Sequence, residues 1–255
     1  MKIVILAGGK GTRLSEYTQK IPKPMVQIGS KPIIWHIMNY YSKFGFNEFI
    51  LALGYKGEII KEYFYKYSRF NSNFTINLKD GSLDYHSNNN LNWKVSFINT
   101  GLETATGGRI KAISEYVKDE EEFMFTYGDG LSNINITELI SFHKKRKKLL
   151  TMTAVHPPAR FGELSISDND TLESFQEKPQ MQNGWINGGF FVANNKILKY
   201  INDPMEMFER EPIQRLIKEK EVSIYKHFGF WKCMDNIRDK KTLSEIWDSG
   251  KAPWK

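Results

Sequence analysis

Residues 3 to 14 read Ile3-Val4-Ile5-Leu6-Ala7-Gly8-Gly9-Lys10-Gly11-Thr12-Arg13-Leu14. Five consecutive apolar residues stop at once in glycine. An apolar run without polar alternation is what a strand buried on both faces of a parallel sheet requires. The glycines after it let backbone N–H groups approach a phosphate or a base edge, because no Cβ stands in the way. Two common phosphate loops fail on counting. A G-x-x-x-x-G-K-[ST] loop needs Gly where Val4 stands and Ser or Thr where Gly11 stands, and the third glycine of G-x-G-x-x-G would fall on Leu14. What remains is a glycine loop with two cations, Arg13 and Lys23, the second inside Pro22-Lys23-Pro24-Met25. A βα turn with solvated basic residues is the plainer alternative.

Downstream of the loop, Ile33, Ile34, Ile37, Met38, Tyr41 and Phe44 recur at helical spacing and Gly45 stops the pattern. A strand over Phe49 to Leu53, a helix near Glu58 to Tyr67, a strand near Val95 to Ile98, a helix near Gly107 to Val117 and a strand over Phe123 to Tyr127 follow. This alternation predicts an α/β fold, a mostly parallel Rossmann-like sheet with helices on both faces. Asn71 to Asn92, rich in Asn, Ser and Asp, reads as an excursion, either a hairpin or a loop reaching a partner subunit. From Thr151 onward short strands dominate, with Leu164, Ile166, Phe175 and Ile186 to Val192 as apolar pieces. The turn signals Asp168-Asn169-Asp170 and Gln182-Asn183-Gly184 separate them. These strands are expected to be built on the same sheet, and Ile237 to Trp247 returns to a helical pattern.

The chain has 255 residues, 40% of them hydrophobic and 25% charged, which suits a packed core and excludes a disordered chain. One large domain spanning residues 1–255 is expected. The formal charge of +7 suits anionic ligands without choosing among nucleotides, phosphosugars and nucleic acid. Cys233 is the single cysteine, so an intramolecular disulfide and Cys-paired zinc sites are excluded, and a cytoplasmic setting is expected. No run approaches the ~18 apolar residues of a membrane span. The histidines at 36, 86, 143, 156 and 227 lack metal-ligand spacing. Lys144 to Lys148 ends a helix begun near Ile136, where cations favour the negative helix end, so the run reads as a solvated terminus and no nucleic-acid partner is expected.

The glycine loop and Pro22-Lys23-Pro24-Met25 are accompanied by Thr106-Gly107-Gly108-Arg109, Tyr127-Gly128-Asp129-Gly130 and Glu177-Lys178-Pro179. Ile186-Asn187-Gly188-Gly189 and Phe230-Trp231-Lys232-Cys233-Met234-Asp235 complete the set. Together they resemble the signature of the sugar-1-phosphate nucleotidyltransferases, and the likeness runs from Met1 to Lys255. Within that family the chain is most similar to the branch that transfers a cytidylyl group from CTP to glucose 1-phosphate. The resemblance implies CDP-glucose and pyrophosphate as products, feeding deoxysugar and surface polysaccharide synthesis, with residues 1–130 as a nucleotide-binding half and 131–255 as a sugar-binding half. It also implies a homo-oligomer, a hexamer being the candidate state.

Carried over residue by residue, the resemblance makes Arg13, Lys23 and Lys178 the catalytic cations, acting on the leaving phosphates, the α-phosphate and the sugar phosphate. Leu6, Ala7, Gly8, Gly9, Lys10, Gly11 and Thr12 become nucleotide contacts, joined by Thr104, Arg109, Gly128 and Asp129. Glu177, Asn187 and Gly188 fall on the sugar side, and Asp129 with Asp235 would hold Mg²⁺. In-line attack of one anion on another is mainly a matter of positioning and charge neutralisation, which these residue types can supply. Gln27, Ser30, Lys232, Cys233 and Asn236 depart from the family pattern without removing a catalytic residue. The residues themselves leave the base and the sugar open. The same chemistry with UTP, dTTP or another sugar phosphate, or a non-catalytic sugar-nucleotide-binding subunit, are the alternatives.

Overall fold

Ile3, Ile5 and Ala7 belong to the buried cluster on one face of a central sheet, while Val4 and Leu6 belong to that on the other. This is why the opening strand carries no polar residue. The computed structural model describes residues 1–86, 91–157, 163–167, 169, 171–176 and 184–255. Among them, the sheet is built from β1 (Ile3–Ala7), β2 (Glu48–Leu53), β3 (Lys94–Asn99), β4 (Glu122–Tyr127), β5 (Leu150–Val155), β6 (Ile186–Asn194) and β7 (Val222–His227). Their order is β7-β5-β6-β4-β1-β2-β3. β1 runs parallel to β2 and β4, β2 to β3, and β5 to β7, whereas β6 runs against both β4 and β5. The mostly parallel reading holds. The reversed strand β6 had no separate signature, since a buried strand is equally apolar in either direction.

On the face of Ile3 and Ile5 lie α1 (Ile33–Ser42), α2 (Gly57–Tyr65), α4 (Ile136–Arg146) and α6 (Ile237–Asp248), which bury Ile33, Ile37, Ile60, Leu139 and Leu243. α3 (Thr106–Ala112) and α5 (Glu211–Lys218) cover the other face with Ile110, Ile213 and Leu216. The helix expected over Gly107 to Val117 is two pieces, because Ile113 leaves helical geometry at φ −91° and ψ 6°. The Asn71–Asn92 excursion contains an antiparallel hairpin, Phe74–Ile76 with Leu83–Tyr85. The strands Glu163–Ile166 and Leu172–Gln176, expected on the same sheet, instead form a separate hairpin, because among the described residues they pair only with each other. The basic run ends α4 as expected, with Lys147 at φ 53° in its C-cap.

The chain builds β1, β2 and β3 outward to one side, then crosses back to place β4 on the other side of β1. The carboxyl ends of β1 and β4 therefore flank the point where strand order reverses. Open α/β sheets bind ligands there. No helix among the described residues is long and apolar enough to cross a membrane.

Candidate active site

Beyond β1 the chain turns through Gly11, whose φ of 62° is left-handed and favours glycine, into a short 3-10 turn over Thr12–Leu14 closed by Leu14 N donating to Gly11 O at 3.0 Å. This swings Arg13 over the strand ends. Lys23 opens a second 3-10 turn, Lys23–Met25, held by Met25 N donating to Pro22 O at 2.8 Å. Prolines on either side stiffen that turn, and Lys23 is only 9% exposed.

The two acidic residues arrive from opposite ends of the chain. Asp129 follows β4 directly, and the next three residues, Gly130–Ser132, pair antiparallel with Trp231–Cys233 so that Gly130 faces Cys233. Met234 N extends this ladder by donating to Asp129 O at 2.9 Å. Asp235 is then set just before the Asn236 N-cap of α6, its own N–H donating to Asp239 Oδ2 at 3.1 Å. A short backbone ladder thus brings the two carboxylates to one place.

Lys23 Nζ lies 2.6 Å from Asp129 Oδ2 and 2.8 Å from Asp235 Oδ1, and Arg13 Nη1 lies 2.8 Å from Asp235 Oδ2. Burial works against the Lys23 ammonium, but the charges and hydrogen bonds of Asp129 and Asp235 outweigh it and raise its pKa. Burial likewise opposes ionisation of Asp235, and Lys23 and Arg13 overcome it to leave the carboxyl below its ordinary value. Its own burial, and then the charges of the same acids, push the Cys233 thiol up to about 12, so it stays protonated at neutral pH.

These groups share a cleft of about 660 Å³ that reaches across the sheet ends. Its lining includes Leu6, Ala7, Gly8, Gly9, Gly11, Arg13 and Lys23 from the first segments, Thr104, Gly128 and Asp129 from the loops after β3 and β4, and Arg109 from α3. Asn187, Gly188 and Asp235 complete the expected set from the second half of the chain. Lys10 and Thr12, expected as nucleotide contacts, are not part of this lining. Lys10 turns outward to pair with Glu103 Oε1 at 2.7 Å, and Thr12 is taken up in the 3-10 turn. Glu177 and Lys178 lie outside the described residues.

Arg109, expected as a nucleotide contact, is the fourth residue of α3 and lines the cleft, yet it is only 4% exposed and its guanidinium is engaged by the protein. Nη1 donates to Leu53 O at 3.2 Å, Thr100 Oγ1 at 2.7 Å and Gly101 O at 2.8 Å, while Nη2 donates to Gly8 O at 3.0 Å and Leu102 O at 3.3 Å. It ties the ends of β1, β2 and β3 together under the cleft. A Cβ on Gly8 would run into this guanidinium, which is the physical demand for glycine at that position.

Several lining residues were not singled out from the sequence. Tyr127 and Trp231 stood within quoted motifs, yet nothing local said that their side chains would face the cleft. Trp231 Nε1 donates to Gly188 O at 2.7 Å, joining the second-half strands to the site. Met207 lines the cleft from an irregular segment with no motif at all.

The donor set can be tested against a hard divalent cation. Mg²⁺ is commonly held by one or two carboxylates, with waters and substrate phosphates completing its shell. Asp129 and Asp235 converge on a single cationic centre, the Lys23 ammonium, at 2.6 and 2.8 Å. Two carboxylates aimed at one positive charge beside a phosphate-sized loop fit such an ion. No group of three or more His, Cys, Asp or Glu suited to an all-protein metal cage occurs among the described residues.

A glycine loop at a strand-order reversal, with cations and paired acids beneath it, is a place for a nucleoside polyphosphate. Residues 2–238 match the nucleotidyl transferase family, and the chain belongs to that family. Along its full length it is similar to the glucose-1-phosphate cytidylyltransferase of Salmonella typhi, at 48% identity over 255 residues covering 100% of this chain and 99% of that protein. It is 44% identical over 256 residues to a probable glucose-1-phosphate cytidylyltransferase of Bacillus subtilis (strain 168), covering 100% of this chain and 99% of that one. The crystal structure of HddC from Yersinia pseudotuberculosis complexed with GMP-PN shares the fold at a TM-score of 0.69 and 26% identity, covering 96% of this chain and 99% of that chain.

Proposed function

We propose that the chain transfers the cytidylyl group of CTP to glucose 1-phosphate, giving CDP-glucose and pyrophosphate. One observation carries the reading: Arg13, Lys23, Asp129 and Asp235, drawn from four separate segments, converge in one cleft under the glycine loop. The full-length likeness to cytidylyltransferases supports the choice of base and sugar.

A phosphate oxygen of glucose 1-phosphate attacks the α-phosphorus of CTP, the bond from that phosphorus to the β-phosphate bridging oxygen breaks, and the electron pair leaves with pyrophosphate. The protein has to hold two anions in line and offset the charge gathering on the transferred and leaving oxygens. Arg13, with a side chain 74% exposed, is free to swing from Asp235 onto the β- and γ-phosphates, where its planar fork suits paired oxygens. Lys23, sheltered under the loop, meets the α-phosphate as a point charge. Arg109 keeps Gly8 and the ends of β2 and β3 in place, so the loop N–H groups face the ligand without rearrangement. Mg²⁺ held by Asp129 and Asp235 would supply the further positive charge that the triphosphate requires.

The nucleotide is assigned to residues 1–130 and the sugar to residues 131–255, with Asn187, Gly188, Glu177 and Lys178 on the sugar side. Asp235 is the exception, reaching back from the second half to the nucleotide. A cytoplasmic homo-oligomer is part of the same reading. Exposed Tyr65, Phe70, Leu78 and Ile76 on and beside the Phe74–Tyr85 hairpin support a self-association surface, which light scattering would test.

The deciding experiment is pyrophosphate release over a matrix of CTP, UTP, dTTP and GTP against glucose, mannose and galactose 1-phosphates. CTP with glucose 1-phosphate is expected to exceed every other pair; equal turnover with another base removes the cytidylyl assignment.

A further inference from the structure

We propose that Glu209 is a positioning residue for sugar-phosphate recognition, its carboxylate orienting the Tyr127 hydroxyl and, through it, the Asn187 amide that faces the cleft. This rests on the reading that the cleft accepts a sugar phosphate beside Asn187.

The direction of every hydrogen bond in the chain of contacts follows from what each group is able to do. Gly189 N can only donate, and it donates to Asn187 Oδ1 at 2.8 Å, so the amide nitrogen must point the other way. That nitrogen donates to the Tyr127 hydroxyl oxygen at 3.2 Å. The hydroxyl therefore accepts from Asn187 and must send its own proton elsewhere, and Glu209 Oε1 receives it. The high pKa of Tyr127, caused by burial and then by the charge of Glu209, keeps that proton on the hydroxyl.

Glu209 is itself fixed. Its other oxygen, Oε2, accepts from Thr106 Oγ1 at 2.6 Å, and Thr106 Oγ1 in turn accepts from Phe208 N at 2.9 Å. The surrounding segment is stapled to the start of α3, with Ala105 N donating to Pro204 O and Gly107 N to Glu206 O, both at 3.0 Å. The carboxylate is thus braced against Thr106 in α3, the helix that also carries Arg109. At the far end, Asn187 has one amide proton with no partner among the described residues, and it lines the cleft. A single donor held by two opposed contacts suits a sugar hydroxyl. Without Glu209 the Tyr127 proton loses its acceptor and the hydroxyl is free to rotate, so Asn187 keeps its contact with Gly189 N while its amide nitrogen loses a fixed acceptor.

The test measures kcat and KM for both substrates in the wild type and in Glu209→Ala, Glu209→Gln, Tyr127→Phe, Asn187→Ala and the Glu209→Ala/Asn187→Ala double variant. A neutral Gln still accepts the tyrosine proton through its amide oxygen. Glu209→Ala is expected to raise the sugar-phosphate KM about tenfold while the CTP KM stays within about twofold, the scale of one directed hydrogen bond. Glu209→Gln is expected to restore most of that loss, and the double variant to be no worse than Asn187→Ala alone. Additive losses in the double variant, or equal effects on both substrates, overturn the proposal. Should Glu209→Ala fail to fold, Tyr127→Phe keeps the ring and removes only the relay, and an unchanged sugar-phosphate KM in that variant overturns it as well. If the wild type prefers another base or sugar phosphate, the assignment of substrates fails separately, and the same coupling measured with the preferred pair decides on Glu209.

Discussion

Lys23 Nζ and Asp235 Oδ1 are 212 residues apart in the chain and 2.8 Å apart in space. The ammonium that is to meet the α-phosphate thus holds one of the acids that are to meet the metal, while Asp129 holds the same ammonium from the other side at 2.6 Å. Under the proposed mechanism, binding substrate exchanges these partners. Asp235→Asn is expected to weaken Mn²⁺ binding in the presence of CTP by at least about tenfold, read by calorimetry or by the free-ion signal in electron paramagnetic resonance, since it removes one of two anionic donors. Asp129→Asn should behave alike. Full metal affinity in both variants would remove these residues from the metal site.

Arg13 is largely exposed and makes one ion pair among the described residues, so replacing it costs the fold little. Arg13→Ala is expected to leave Tm within a few degrees while lowering kcat/KM for CTP on the order of a hundredfold, the effect of losing one well-placed charge on a leaving group. Steady-state pyrophosphate release with a melting curve checks both halves.

Arg109 gives the opposite pattern. Arg109→Met leaves several buried acceptors around Gly8, Leu53, Gly101 and Leu102 short of a donor. A loss of about 3 kcal/mol is expected, or roughly 6 to 12 °C in Tm for a domain of this size. The CTP KM should rise as the glycine loop loses its anchor. Calorimetry showing an unaltered Tm would mean that the carbonyls do not depend on the guanidinium.

His36 is 1% exposed, and its Nε2 meets Ile28 O at 2.9 Å. Burial, only partly opposed by the Ile28 carbonyl, holds its pKa below the ordinary 6.5. The unfolded chain therefore takes up a proton that the folded one refuses. The contribution is complete above pH 6.5 and is lost as pH falls through the folded value, at about 1.4 kcal/mol per pH unit within that window. His36→Gln retains a donor near Ile28 without a titrating ring. Its stability is expected to fall less steeply than that of the wild type between pH 6.5 and 5; equal slopes in denaturant titrations would exclude His36 as a source.

Much of this arrangement was legible beforehand because it is local. The uniform apolar run Ile3–Ala7 reports burial on both faces, and Gly8 and Gly11 report positions where a side chain would collide with its surroundings. Asp129 could be placed at the carboxyl end of a strand from its neighbours alone. The clamp formed by Arg109 was not legible, since most of its acceptors are main-chain carbonyls, at Leu53 in β2 and in the loops just after β1 and β3, and a carbonyl leaves no mark in the sequence. Nor could residue spacing place Asp235 beside Asp129, which depends on the ladder between Gly130–Ser132 and Trp231–Cys233. Met207 and Glu209 sit in an irregular segment whose place beside α3 is set by hydrogen bonds to Ala105, Thr106 and Gly107.

On the proposed mechanism the Lys23 charge acts on the reacting phosphate and is not merely a partner for two acids. Single-turnover pyrophosphate release by Lys23→Ala, saturated with CTP, glucose 1-phosphate and Mg²⁺ and followed alongside circular dichroism, separates the two roles. A folded protein whose rate falls on the order of a hundredfold or more is the expected result. A folded Lys23→Ala protein that turns over at the wild-type rate would contradict it.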